Sequence, residues 1–409
     1  MNTDRKTIVF LSGLLVLAAL LRLPGATGYA NYYEPELTRD LGVVRGMAAS
    51  DWPLVGPPQF LDARFHFGPA YYYLMYPLAR LADFRPWSLA LTSLFFSLAT
   101  IALGWWACHR WFADPRVAAL FAVIASFSAL DIQFAKYASN PNLVPFFALL
   151  FFVALEPFLR GVQKIRHTLL LALAFTVAAQ LHPVAGISLG AVLVAALIMR
   201  RIKPRLSEYL AFAAATLTLN ATYIIYELGH GFGNYAGLTA LATGAAQYGG
   251  FHTRILETAA FWFSLWYNVH HMFSLAFLVG LPSLVFLALT LVFLALVARF
   301  EESRRKKKAA IAPALTTGPL RLLLTLWLLA PTLLLLIPIG QISQLPIYYF
   351  VVLLPLAHIL SALGLVELRR RGWRVLPAAI LAFFLIWQTY QIGLYHHYYP
   401  SLLSGRLYG

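Results

Sequence analysis

The chain has 409 residues, 60% of them hydrophobic and only 11% charged, with a mean hydropathy of +0.71. Soluble domains carry about 25% charged residues, so a soluble enzyme, a disordered tail and a coiled coil are excluded and a membrane protein with many spans remains. The single cysteine, Cys108, excludes a disulfide framework and any cysteine-based metal cluster, and the net charge of +15 fits basic loops beside acidic lipid better than a nucleic-acid partner.

A spanning helix needs about 20 mostly apolar residues. Eleven stretches qualify: roughly 7–23, 87–107, 117–133, 142–159, 167–182, 184–200, 207–226, 274–298, 320–339, 347–366 and 375–395. The expected fold class is therefore all-α, a polytopic transmembrane helical bundle of about eleven spans. With the N-terminus inside, 22 of the 31 Lys and Arg residues fall on inside segments, the longest run ending Arg304-Arg305-Lys306-Lys307-Lys308. The positive-inside rule thus predicts N-inside, C-outside, with that run against acidic lipid headgroups. The first stretch also fits a cleaved signal peptide loosely, and either reading delivers the following loop outside. Residues 1–298 read as an eight-span module with outer loops 24–86 and 227–273. Residues 299–319 read as a basic cytoplasmic linker, and 320–409 as a three-span module. Internal repeats and paired broken helices are not evident.

Polar residues kept near a bilayer are functional candidates by default. They cluster at the outer ends of spans: Asp131, Lys136, Asn140 and Asn142 after the third, Gln180 and His182 at the end of the fifth, Glu227 and His230 after the seventh. The first outer loop adds Tyr32-Tyr33-Glu34-Pro35-Glu36. Pro35 suits a first helical turn, so residues 36–49 are expected to form a short amphipathic helix with Leu37, Leu41, Val44 and Ala48 on one side. Two residues apart, Glu34 and Glu36 diverge by about 200° on a helix, which suggests one catalytic base rather than a glycosidase-type carboxylate pair. Both acids could equally serve the helix dipole. In extended chain Asp62, Arg64 and His66 would share one edge, suited to phosphate, and Gly68-Pro69 breaks it. Ala70-Tyr71-Tyr72-Tyr73-Leu74-Met75-Tyr76 reads as an interfacial helix or a plain aromatic anchor.

These elements, in this order, resemble the GT-C superfamily of polytopic glycosyltransferases, nearest the branch of protein O-mannosyltransferases and lipid A aminoarabinose transferases. Tyr33-Glu34-Pro35-Glu36 stands where the family has its acidic motif. His66-Phe67-Gly68-Pro69 matches its Lys-Pro-Pro or His-His-Gly-Pro element. Asn140-Pro141-Asn142 resembles its Asn-Pro motif, and Gln180-Leu181-His182 its Gln-x-His element. The likeness covers roughly residues 1–230. His66 departs from the lysine of many relatives. No soluble domain is expected after the last span, in departure from the family, so any grip on the acceptor is expected from loops.

The resemblance implies transfer of a sugar, with inversion, from a polyprenyl-phosphate-linked donor to an acceptor hydroxyl on the outer face of the cytoplasmic membrane. A phosphate leaving group needs charge neutralisation more than protonation, and the acceptor hydroxyl needs one base. Glu34 is the first candidate for that base, then Glu36 and Asp62. Arg64, His66, Lys136 and Arg254 are candidates for the donor phosphate, and Tyr33, Asn140, Asn142 and His182 for the substrate. The expected partners are the lipid-linked donor, a lipid, glycan or protein acceptor, and membrane lipids, with no nucleic acid. A divalent cation stays open without a ligand set, because in His270-His271 and His396-His397 neighbours point about 100° apart on a helix. The competing functions are a transporter or flippase for a lipid-linked or anionic solute, which calls for charge deep in mid-span, and a ligase moving whole glycans.

Overall fold

A computed structural model describes residues 5–26, 34–59, 65–112, 114–162, 164–199, 202–243, 318–336, 347–373 and 375–403. Helix α1 is Arg5–Ala26 and α2 is Glu34–Ala48. Then come α3 (Ala70–Leu81), α4 (Ser88–Phe112), α5 (Pro115–Phe127), α6 (Ala129–Phe134) and α7 (Val144–Leu159). They are followed by α8 (Ile165–Leu181), α9 (Pro183–Ile198), α10 (Leu206–Leu219), α11 (Ala221–Gly229) and α12 (Gly233–Thr243). The C-terminal part gives α13 (Gly318–Leu336), α14 (Leu354–Arg370) and α15 (Val375–Leu403). Short 3-10 segments, Asn140–Leu143 and Ile347–Leu353, lead into α7 and α14.

The fold is all-α, as expected. Ten of the eleven apolar stretches coincide with helices; the eighth, 274–298, lies outside the described residues, as does 299–317 of the expected linker. By length and composition four helices among the described residues can each cross a membrane, or five if a bent pair counts as one. The others are apolar but shorter, so the number of complete crossings is not fixed by the helices alone. Helix α4 packs on α1, α5 and α7; α8 packs between α7, α9 and α10. The C-terminal helices join the same apolar core, α13 against α7 and α9 and α14 against α5. Trp327 of α13 stacks on Phe152 of α7 at 4.0 Å between ring centroids and donates its indole N–H to Val352 O.

Two spans read as continuous are interrupted. The third breaks at Ser128 into α5 and α6. Residues Ser128-Ala129-Leu130-Asp131 carry the helix-start pattern of a hydroxyl followed three later by an acid, and Ser128 Oγ accepts from Asp131 N at 3.3 Å. The seventh bends by 60° at Asn220, between α10 and α11. These breaks revise the expectation of unbroken helices, and both lie near the same end of the bundle. Helix α5 spans 13 residues before its break, about 20 Å of rise.

Ion pairs tie the opposite end together. Asp114, before α5, meets Arg116 and, at 2.7 Å, Arg370 of α14. Glu156 of α7 meets Arg160 and, at 3.5 Å, Arg110 of α4. Burial works to raise the Asp114 carboxyl, but hydrogen bonds from Arg116, then Arg370, outweigh it and hold it below its ordinary range. These arginines belong to the segments predicted to lie inside.

Candidate active site

The segment between α2 and α3 is seated on the ends of four helices. Residues 65–67 pair with 56–59 as a short antiparallel ladder: Gly56 N donates to Phe67 O at 2.8 Å, Phe67 N to Pro57 O at 2.9 Å, and Gln59 N to Phe65 O at 2.7 Å. The extended reading therefore holds from Phe65 to Phe67, while Asp62 and Arg64 lie outside the described residues. Gly68 N then donates to Gln180 O at 2.9 Å, and Ala70 N to Gln180 Oε1 at 3.1 Å. A Cβ on Gly68 would lie inside the Gln180 side chain, and one on Gly56 would strike the Gly68 carbonyl. Both positions need glycine because backbone approaches so closely here.

Gln180 is the hub of this seat. Its amide also donates to Leu219 O at 2.8 Å and Asn220 Oδ1 at 3.0 Å, at the bend between α10 and α11. His182, buried, stacks on Phe67 and meets Tyr349 edge-on at 4.9 Å. Asn140 donates to Leu181 O and Asn142 to Tyr137 O. Beyond the bend, Tyr223 donates to His66 O at 3.2 Å, and Asn234 of α12 bonds both the N–H and the carbonyl of His66. The structure thus brings together His66, Asn140, Asn142 and His182, four of the expected site residues.

Lys136 sits at the same end, in the turn between α6 and the first 3-10 segment, with its side chain buried. Burial, and then the nearby Arg22 charge, lower its ammonium to about 7. Arg22 was passed over in the sequence. It is buried in the last turns of α1, where its guanidinium donates to Ala18 O, Ser97 Oγ and the final carbonyls of α5, Ala125 O at 2.9 Å and Ser126 O at 3.0 Å. It thereby caps the broken helix, whose exposed carbonyls favour a cation. Asp131 lies close enough to act on Arg22 and pairs with His358 of α14 at 2.8 Å. Gln388 of α15 accepts from Ala129 N at 2.8 Å and caps α6. Charge near a span is therefore less scarce than the sequence suggested.

Helix α2 begins at Glu34, two residues ahead of the expected start. Two turns separate position 34 from buried Leu41, so on the backbone it heads the packed stripe, whereas Glu36 is exposed. The side chain of Glu34, like Tyr33, Asp62, Arg64 and Arg254, lies outside the described residues. Asp40 fixes the helix. It is buried and accepts from Arg39 at 2.8 Å, Tyr72 at 2.9 Å and Tyr71 at 3.3 Å. Burial raises its carboxyl above the ordinary range, against the Arg39 and tyrosine hydrogen bonds. Two tyrosines of the aromatic run are therefore core ligands of an acid rather than an interface belt alone. The spacing of Asp40, six after Glu34, gave no sign of this.

Among the described residues no group of three or more His, Cys, Asp or Glu is placed to hold a metal. His270 and His271, and the side chains of His396 and His397, are not among them.

No family model and no curated protein matches the sequence. Solved structures do match it in fold. ArnT from Cupriavidus metallidurans in the apo state superposes with a TM-score of 0.56 at 15% identity, over 92% of this chain and 62% of that one. The same protein bound to undecaprenyl phosphate gives 0.57 at 16% identity, over 92% and 63%. The chain therefore shares the fold of these ArnT structures. It spans a little under two thirds of the length of the ArnT chains it matches.

Proposed function

We propose that the protein is a polytopic membrane glycosyltransferase that moves a sugar, with inversion, from a polyprenyl-phosphate-linked donor to an acceptor hydroxyl. The observation that carries this reading is a buried lysine, Lys136, set beside buried Arg22 at the polar end where His66-Phe67-Gly68-Pro69 docks on Gln180 and His182. An anion site walled by apolar helices suits a phosphate whose lipid tail stays in the bilayer. The likeness to ArnT bound to undecaprenyl phosphate supports the same donor class. On this reading the site faces the outer side of the cytoplasmic membrane, because the arginine-rich end of the bundle is the inner one.

The reaction follows from these parts. The acceptor oxygen attacks the anomeric carbon, the bond from that carbon to the phosphate oxygen breaks, and polyprenyl phosphate leaves. Glu34 takes the hydroxyl proton, with Glu36 and Asp62 ranked behind it. Lys136 neutralises the leaving phosphate, and Arg64, His66 and Arg254 are further candidates for that task. Arg22 has most of its donors committed to carbonyls and supplies field rather than a direct grip.

A second reading draws on the interrupted helices and on buried Arg22 and half-buried Asp131, which are features of solute pathways. One experiment separates the two. Radiolabelled sugar from a panel of polyprenyl-phosphate sugars is followed into membrane acceptors with wild type and Glu34→Gln. Transfer by wild type alone supports the enzyme and its base. Equal transfer by both removes Glu34 from the mechanism. No transfer by folded wild type favours transport.

A further inference from the structure

Helix α11 carries an acid that the mechanism above does not use. Glu227 is 8% exposed, and its Oε2 has no hydrogen-bond partner. It lies one turn after Tyr223 and next to Tyr226, the two residues of α11 that touch His66: Tyr223 by a 3.2 Å hydrogen bond, Tyr226 with its ring 6.0 Å from the imidazole. Two more buried atoms at this end also lack partners, His66 Nδ1 and Asn142 Oδ1. Polar atoms withdrawn from water and left unpaired are costly, a carboxylate most of all. On the helix that touches His66, the unpaired Glu227 oxygen therefore points to a ligand that completes it.

The chemistry of these atoms selects that ligand. A carboxylate and an amide oxygen only accept, and imidazole Nδ1 accepts in one of its two tautomers. What they lack is donors. An anion brings none and would be repelled by Glu227, whereas a sugar ring brings several hydroxyls. Hydroxyl-to-carboxylate hydrogen bonds are short and strong. We propose that Glu227 is a sugar-binding residue, accepting a hydrogen bond from one hydroxyl of the transferred sugar and so setting which sugar the protein takes. This rests on the glycosyltransferase reading and divides its site in two, with Lys136 for the phosphate and Glu227 for the ring.

The test uses membranes holding the full chain as wild type, Glu227→Gln or Glu227→Ala. Transfer is measured from polyprenyl-phosphate hexoses and pentoses, then from single-deoxy analogues of the donor used best. In wild type, one deoxy position is expected to lower kcat/KM by at least about 30-fold, because the analogue leaves the carboxylate unpaired. In Glu227→Ala the intact donor falls to a similar level and the penalty at that one position disappears. The other positions keep their wild-type ratios. Glutamine still offers an oxygen and retains part of the discrimination. Without donor, Glu227→Gln unfolds at the same or a higher temperature than wild type, since it removes an unpartnered buried charge. Equal losses at every position, or unchanged discrimination, overturn this proposal while wild-type transfer still stands. No transfer by wild type from any donor overturns the glycosyltransferase reading and this proposal with it.

Discussion

At one end of the bundle acids stand beside arginines: Asp114 with Arg116 and Arg370, Glu156 with Arg110 and Arg160, Glu367 with Arg371. At the other end buried groups are placed less economically. Lys136 is held beside Arg22, and Glu227, Asn142 and His66 each keep an unpartnered buried atom. The first pattern is what a fold does with charges it needs only for cohesion and orientation. The second costs stability, and it persists where a ligand supplies what is missing. The paired end also keeps buried atoms without a hydrogen-bond partner, Glu156 Oε2 and His167 Nδ1 among them, so the two ends differ in how their charges are matched rather than in unpartnered atoms alone.

The comparison can be broken from either side. The largest effect is expected at the seat of the segment between α2 and α3. Gly68→Ala forces a methyl group into the Gln180 side chain, and displacement of the loop should lower kcat/KM for transfer by about 100-fold. Normal kcat/KM in that variant would mean the seat does not position the site. Next comes Asp40→Ala, which leaves Arg39, Tyr71 and Tyr72 without their shared acceptor. Thermal or denaturant unfolding should show a loss of about 2–3 kcal/mol, with Asp40→Asn closer to wild type. The smallest effect belongs to the paired end. Arg370→Ala removes one of the two arginines on Asp114 and should cost about 1 kcal/mol of stability while leaving kcat/KM unchanged. A large loss of transfer there would erase the distinction between the ends.

Much of this was legible in the sequence, and the reasons for the rest are physical. Apolar length marked most of the spans, and His66-Phe67-Gly68-Pro69 announced a tight approach because glycine and proline are demanding at such places. Asn140, Asn142, Gln180 and His182 stood out as polar residues at span ends, and they do converge. Three things stayed hidden. Arg22 is one of these, since nothing in its own segment reveals that it caps α5 over a hundred residues away. The break at Ser128 was signalled only by a Ser-x-x-Asp pattern inside an apolar run. Asp40 stood out only as one of three acids between Glu34 and Asp40, and its tie to Tyr71 and Tyr72 stayed hidden because that run is explained equally well by composition as an interface belt. Long-range pairing of polar groups leaves no period in the chain, whereas apolar length does.

The central claim, that this polar end is a donor site with Lys136 on the phosphate, is tested most directly by binding. Undecaprenyl phosphate would be titrated into purified wild type and Lys136→Met between pH 7 and pH 9. The Lys136 ammonium lies at about 7, so it is charged below that value and neutral above it. Affinity of wild type should therefore fall as pH rises, by up to about tenfold per unit. Lys136→Met should bind at least about tenfold more weakly at pH 7 and show no such fall. Equal affinity of the two proteins across this range would contradict the account.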